Sequence, residues 1–243
     1  MFRKKHWYTE VSASYINRSN IIYTMKPFIL QCFLFTLVDA ARWCVVQTDN
    51  RFDYQQKASF LSFETYVKHM GLDHKVFSCK GLGWTKPAIV KHSCTTCEYI
   101  LYADTAVIVK EPLDLKQLEP LFQKNISLIA GIDYLRTLDG VRKGRNVFVH
   151  HFNAGLFIVR CTTARLLLEQ WQSFTRHVKD DQLALQYIAK QGSILEHHVK
   201  YDFRYMGIYS TYFSHFPGAL RSKFPKSLPT SPLSPPNNCP LAQ

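Results

Sequence analysis

Acidic residues are the scarce charged class in this sequence. Only 18 Asp and Glu stand against 30 Lys and Arg, for a formal net charge of +12. The imbalance favours anionic partners: nucleotide diphosphates, nucleic acid or membrane headgroups. Long apolar runs are absent too, and none reaches the length of a membrane-spanning helix. No internal repeat is visible, which excludes solenoid and propeller arrays. No nucleic-acid-binding module or aromatic RNA-binding motif is present, so nucleic acid is not the expected partner. Cys94-Thr95-Thr96-Cys97 has the spacing of half a zinc site, but no second close Cys or His pair completes it, although His92 is near. Ordinary burial is the reading for this pair. His150-His151 and His197-His198 are adjacent pairs whose side chains point to opposite faces of a strand, so they are read as non-ligating.

What is present bounds the fold. Hydrophobic residues make up 47% of 243, which excludes wholesale disorder and suffices for one domain with a sizeable core. Phe28 to Val38 (FILQCFLFTLV) follows Met25-Lys26-Pro27 and precedes Val38-Asp39-Ala40. Read from Met25, this is a basic start, a short apolar run and a cleavage site. Residues 1–24 are then an N-terminal tail or an untranslated extension, and 25–40 a signal peptide or short signal anchor. The other reading of the run is a buried first strand or helix. Seven cysteines occur, and six remain if Cys32 leaves with a signal peptide. A secreted fate permits disulfides without assigning them. Asn17-Arg18-Ser19 and Asn125-Ile126-Ser127 match the N-glycosylation sequon, and only the second falls in a mature lumenal domain.

Residues 41–223 read as the folded domain. Trp43 to Gln47 predicts a buried strand with a polar turn from Thr48 to Arg51. Tyr54 to Met70 predicts an amphipathic helix stopped by Gly71. A strand from His74 to Ser78, a helix from about Thr85 to Cys94 and a strand from Tyr99 to Ala103 follow. Leu113 to Gln123 reads as helix and Ser127 to Ile132 as strand. Strands at 147–149 and 156–160 flank Asn153-Ala154-Gly155, which has the composition of a hairpin turn. Helices follow at 164–177 and 181–191, with short strand-like pieces near 193–196 and 212–216. Residues 224–243 form a Pro- and Ser-rich tail, expected to be disordered. Strands alternating with helices imply an α/β layered fold with parallel strands. In such folds ligands bind beyond the carboxyl ends of the strands. Asp49, Asp104 and Asp133 each follow a predicted strand and so could line one edge. Hard divalent cations prefer carboxylates, and such a cation can bridge a diphosphate.

Several segments in order resemble a known group. They are Tyr66 to Asp73 (YVKHMGLD), Trp84-Thr85-Lys86-Pro87-Ala88, Tyr99 to Val109 (YILYADTAVIV), Phe152 to Arg160 (FNAGLFIVR), Asp181-Gln182-Leu183-Ala184-Leu185 and His215-Phe216-Pro217-Gly218, with Trp171 on the intervening helix. Together they resemble nucleotide-diphospho-sugar glycosyltransferases of the GT-A fold, most like glycosyltransferase family 34, the fungal galactosyl- and mannosyltransferases and plant xyloglucan xylosyltransferases. The resemblance covers about residues 43 to 220. It implies a single Rossmann-like domain whose mixed central sheet is flanked by helices. It also implies transfer of a hexose or pentose, with retention, from a UDP- or GDP-sugar to a glycan or glycoprotein acceptor. Golgi or other secretory-pathway residence, membrane-associated or secreted, follows from the N-terminal reading.

The resemblance assigns roles. Asp104 contacts the donor ribose or a manganese or magnesium ion, and His215 is the distant metal ligand. Asn153 and the Ala154 backbone hold the donor sugar or acceptor hydroxyl. Asp181 and Gln182 lie near the anomeric carbon. Lys86 and Arg136 are diphosphate or sugar partners. Asp49 and Arg51 lie near the base, and Gly218 closes the donor site. One departure matters: the pattern carries a second carboxylate where this chain has Ala106. Asp133 or Asp139 is the candidate substitute. The alternative to an active enzyme is a catalytically silent GT-A domain that binds glycan or serves as a partner subunit.

Overall fold

The computed structural model describes residues 42–49, 54–79, 85–122, 125–132, 152–178, 181–190, 199–201, 210–216 and 237–240. All lie in one unit, Ala41–Gln243. The N-terminal segments 1–24 and 25–40, and the predicted strands at 147–149 and 193–196, lie outside the described residues.

Strand β1 (Trp43–Asp49) leads into helix α1 (Tyr54–Met70), β2 (Asp73–Ser78), α2 (Lys86–Ser93), β3 (Tyr99–Ala103) and β4 (Val107–Val109). A 3-10 helix, Leu115–Leu121, precedes β5 (Leu128–Ile132), β6 (Phe152–Arg160), α3 (Cys161–Val178), α4 (Asp181–Lys190), β7 (Val199–Tyr201), β8 (Phe213–His215) and β9 (Asn237–Asn238). One sheet has the order β7-β5-β6-β3-β1-β2-β9, and β4 and β8 form a separate ribbon. β1 is parallel to β2 and β3, while β6 runs antiparallel to β3 and β5. The sheet is therefore mixed, and the helices cover both its faces.

Alternation along the strands builds two apolar layers. Cys44, Val46, Ile100, Tyr102, Phe157 and Val159 pack on one face with Ile89, Leu167, Trp171 and Leu185 from α2, α3 and α4. Val45, Leu101 and Ile158 pack on the other with Phe63, Tyr66 and Val67 from α1 and Leu118 from the 3-10 helix. Gly71 ends α1 at φ 64°, and the Leu72 N–H returns to the Val67 carbonyl at 3.0 Å, the usual left-handed helix stop.

Four expectations change. β1 continues through Thr48 and Asp49 instead of turning at Thr48, because both residues pair with β2. The segment after Leu113 is a 3-10 helix and not an α-helix: Pro120 lacks the N–H an α turn would use, and Asp114 caps the start by accepting from the Lys116 N–H. Asn153-Ala154-Gly155 is no hairpin turn but the opening of β6. The tail is not structureless throughout, since Asn237–Asn238 pair with Phe77–Ser78.

The cysteines explain the last point. Cys79 and Cys239 are disulfide-bonded across 160 residues of sequence. Cys44 pairs with Cys97, and Cys94 with Cys161. Cys94 and Cys97 are thus neither a zinc half-site nor simple buried thiols. Each ties its turn to a different neighbour, β1 or the start of α3. Among the described residues no helix is long and apolar enough to cross a membrane.

Candidate active site

The carboxyl ends of β1 and β3 meet the start of the antiparallel β6 at one edge of the sheet. Asp104 leaves β3 there, its N–H donating to the Gly155 carbonyl at 2.7 Å. A turn follows, closed by the Val107 N–H on the Asp104 carbonyl at 2.9 Å. The β4–β8 ribbon then places His215 opposite Val107.

β6 is irregular at this edge. Its register against β5 shifts between Ala130 and Ile132, and the inside-outside alternation of its side chains breaks between Ala154 and Leu156. Bulges of this kind re-aim side chains next to functional sites. Here Asn153 is turned so that its Oδ1 accepts the Gly155 N–H at 2.8 Å while its Nδ2 meets His215 Nδ1 at 2.6 Å. Gly155 is required by the close approach: a Cβ there would sit 2.5 Å from His215 Cε1.

Lys86, the first residue of α2, is the centre of the cluster. Its Nζ lies 3.2 Å from both oxygens of Asp104, pairs with Asp181 Oδ2, and donates to the Ala154 carbonyl at 2.7 Å. It also lies 5.1 Å from the Tyr102 ring centre. Burial alone would drive this ammonium toward its neutral form, but the Asp104 and Asp181 carboxylates overcome that and hold it well above the usual lysine range. Burial in turn raises the Asp104 carboxyl, against the pull of Lys86. The lysine side chain is only 8% exposed, whereas Asp104 keeps 35% and Asp181 20%. The two carboxylates therefore share one buried cation and leave their outer sides open to a ligand.

A second set of groups orients the first. Tyr102 is fully buried and donates to Asp104 Oδ1 at 3.0 Å, with the Thr48 hydroxyl 3.0 Å from its own oxygen. Burial pushes the Tyr102 phenol well above its ordinary value. Ser59 on α1 donates to the Val107 carbonyl at 2.5 Å and accepts from Gln47 Nε2 at 2.9 Å. Gln47 Oε1 in turn meets His74 Nε2 at 3.0 Å. Asp181 opens α4, its Oδ1 accepting the Gln182 N–H at 2.9 Å and its carbonyl accepting the Trp171 indole N–H at 2.7 Å.

The structure thus gathers Lys86, Asp104, Asn153, Ala154, Asp181 and His215 at one edge, with Gln182 beside Asp181. Asp49 ends β1 at the same edge. Ala106 is buried, and its carbonyl accepts the Phe216 N–H at 2.9 Å, locking the turn to the ribbon. Arg51, Asp133, Arg136, Asp139 and Gly218 lie outside the described residues, as do both His-His pairs. Sequence reading missed Thr48, Tyr102, Gln47 and Ser59. Tyr102 carried a signal, since residues i and i+2 of a strand share a face and Tyr102 precedes Asp104 by two. Ser59 carried none.

A divalent cation does not fit these residues as they stand. Among the described residues no three of His, Cys, Asp and Glu gather into a cation site. The Gly155 N–H fixes the Asn153 amide with its NH2 toward His215, so His215 Nδ1 is the acceptor and the neutral ring carries its proton on Nε2. In that tautomer neither nitrogen offers a metal a lone pair. Position 106 supplies no carboxylate.

No family model matches the sequence, and no curated protein matches it. Solved structures do. One is a glycosyltransferase involved in glycosylation of the major capsid of PBCV-1, 11% identical, with a TM-score of 0.55, covering 75% of this chain and 96% of that one. Others are the galactosyltransferase LgtC in complex with donor and acceptor sugar analogs (15% identical, TM-score 0.43, 66% and 74% covered) and mouse xyloside xylosyltransferase 1 in its apo form (9%, 0.42, 67% and 84%). The first likeness shows the fold: this chain has the GT-A, Rossmann-like architecture, with its mixed sheet flanked by helices.

Proposed function

We propose that the chain is a glycosyltransferase that moves a hexose or pentose from a nucleotide-diphosphate sugar, UDP- or GDP-linked, to a glycan or glycoprotein acceptor with retention. The observation that carries the reading is the pair of open-sided carboxylates, Asp104 and Asp181, clamped by buried Lys86 at the sheet edge where α/β folds bind ligands. The order of segments that resembles family 34 supports it, as does the likeness in fold to the PBCV-1 capsid glycosyltransferase.

In this reading Asp104 accepts hydroxyl protons of the donor ribose or sugar. Asp181, anchored through Trp171, sits beside the anomeric carbon with Gln182, where its charge stabilises the cationic sugar as the glycosidic bond breaks. Lys86 pairs with both carboxylates and keeps them spaced. Asn153 and the Ala154 carbonyl lie behind the two carboxylates, where they hold His215 and Lys86 at the edge that meets the donor sugar or acceptor hydroxyl. Three disulfides support a place in the oxidising secretory lumen, with the Golgi as the compartment where such acceptors are met.

The test is a screen of UDP- and GDP-sugars with glycan acceptors, reading released nucleotide diphosphate with and without manganese or magnesium. Release with at least one donor is expected, unchanged by chelation. Asp104→Asn and Asp181→Asn should each lower it by about 10²–10³-fold, the scale for removing one electrostatic partner of a transition state. Release that survives both substitutions would overturn the assignment.

A further inference from the structure

The sequon Asn125-Ile126-Ser127 plays no part in the site described above. Asn125 is exposed, in the turn that leads from the 3-10 helix to β5. Strand pairing locates it. β5 begins at Leu128 opposite Val159, and β3 begins at Tyr99 opposite Arg160. Asn125 therefore stands at the edge where β3 starts, the opposite edge from Asp104 and Asn153. A bulky group there leaves the donor edge open. The compartment is indicated independently of the sequon: all six cysteines after residue 40 are paired in disulfides, the pattern of a chain folded in an oxidising lumen.

We propose that Asn125 carries an N-linked glycan, added before the domain closes. The Asn125 amide nitrogen bonds to the anomeric carbon of a lipid-diphosphate-linked oligosaccharide. The carbon–oxygen bond to the diphosphate breaks, the lipid diphosphate leaves, and one amide proton passes to solvent. Ser127 sets the timing. The transfer machinery must reach the sequon hydroxyl, yet in the fold Ser127 is fully buried and its Oγ donates to the Thr163 carbonyl at 3.0 Å. That contact joins the turn before β5 to the first turn of α3, so the sequon is readable only while this packing is unmade. Afterwards the glycan projects from Asn125 over the edge remote from the site and shields the start of β5.

The full chain, delivered to the endoplasmic reticulum behind a cleavable leader, tests this. Treatment with peptide N-glycosidase F should shift its mobility and leave aspartate at position 125, read by peptide mass spectrometry. Asn125→Gln, a surface change that spares the core, should abolish that shift. Asn17→Gln should leave it in place. Ser127→Thr preserves the motif and should keep the glycan. Purified, unglycosylated folded chain, offered to detergent-permeabilised microsomes whose transferase it can reach, should stay unmodified, whereas the same chain denatured and reduced should be modified. A wild-type chain with no shift, or an Asn125→Gln chain that still shifts while Asn17→Gln does not, overturns the site. Folded chain modified as efficiently as nascent chain overturns the timing.

Discussion

A lysine with three partners and little water is the residue on which this site turns. Lys86 brings together two carboxylates that would otherwise repel across a buried space, and the Ala154 carbonyl takes part of its remaining donor capacity. Removing one member of such a buried set leaves uncompensated charge, a larger loss than the net worth of the pair. Lys86→Met should therefore destabilise the protein by about 3–5 kcal/mol in chemical denaturation at neutral pH. The pH dependence of that loss has a definite sign. Burial already raises the folded-state carboxyl of Asp104 against the pull of Lys86, and without Lys86 it rises further. Its protonated form then favours the fold at low pH, and this contribution is lost as pH rises. The gap between variant and wild type should narrow as the pH falls toward the carboxylate range. A gap that stays constant from pH 7 to pH 4.5 would mean that the two carboxylates are not what Lys86 holds.

At the scale of elements, two polar bridges tie the sheet to the Asp104 turn. One runs through β1 and β3, from Thr48 to Tyr102 to Asp104. The other runs from β2 through β1 to α1 and then the turn: His74, Gln47, Ser59 and the Val107 carbonyl. In the second, Gln47 spends its NH2 on Ser59, so its carbonyl accepts and His74 must donate through Nε2 as the neutral ring. Burial lowers the His74 pKa to about 4, with the nearby Glu64 opposing the shift. Because the folded value lies below the unfolded one, acid favours the unfolded chain. Stability from this residue should be complete above about pH 6.5 and fall by about 3 kcal/mol as the pH drops to about 4. His74→Gln, which keeps a donor for Gln47, should flatten the denaturation profile across that window. An unchanged slope would place the acid sensitivity elsewhere.

At the largest scale, three cystines close the unit from Ala41 to Gln243. Cys44–Cys97 and Cys94–Cys161 staple neighbouring elements, whereas Cys79–Cys239 joins the end of β2 to residues close to the C-terminus. That bond holds β9 as the sheet's edge strand, covering a β2 whose outer backbone would otherwise be open for pairing. A two-residue strand cannot hold itself there, because so few ladder hydrogen bonds do not offset the ordering of a long chain. The Cys79→Ser/Cys239→Ser double variant should lose about 2–4 kcal/mol of stability, read by denaturation. It should also become cleavable by protease within residues 217–240. Resistance equal to wild type would show that the tail is held by other means.

The sequence by itself determined most of the elements from β1 to α4 and their order, but not β7, β9 or the 3-10 character of Leu115–Leu121. Tyr54–Met70 and Tyr99–Ala103 are bounded as their patterns predict, because a helix face closed by Gly71 and an apolar run ending in Asp are local signals. The sequence also named Lys86, Asp104, Asn153, Asp181 and His215 one by one, since each stands in a recognisable segment. Tertiary structure alone decided what they do to one another. Lys86 reads as a ligand partner along the chain but is a clamp between Asp104 and Asp181, which come from segments 77 residues apart. Asn153-Ala154-Gly155 has turn composition, yet it lies inside β6, between Phe152, which pairs with β5, and Leu156, which pairs with β3, and the register against β5 shifts across it. Cys94 and Cys97 share a local spacing but answer to β1 and α3. His215 has the residue type of a metal ligand, while its tautomer is set by Asn153 and Gly155 from another strand. Local pattern encodes what a segment forms; charge, tautomer and disulfide partner depend on which segments meet, and only the packed sheet settles that.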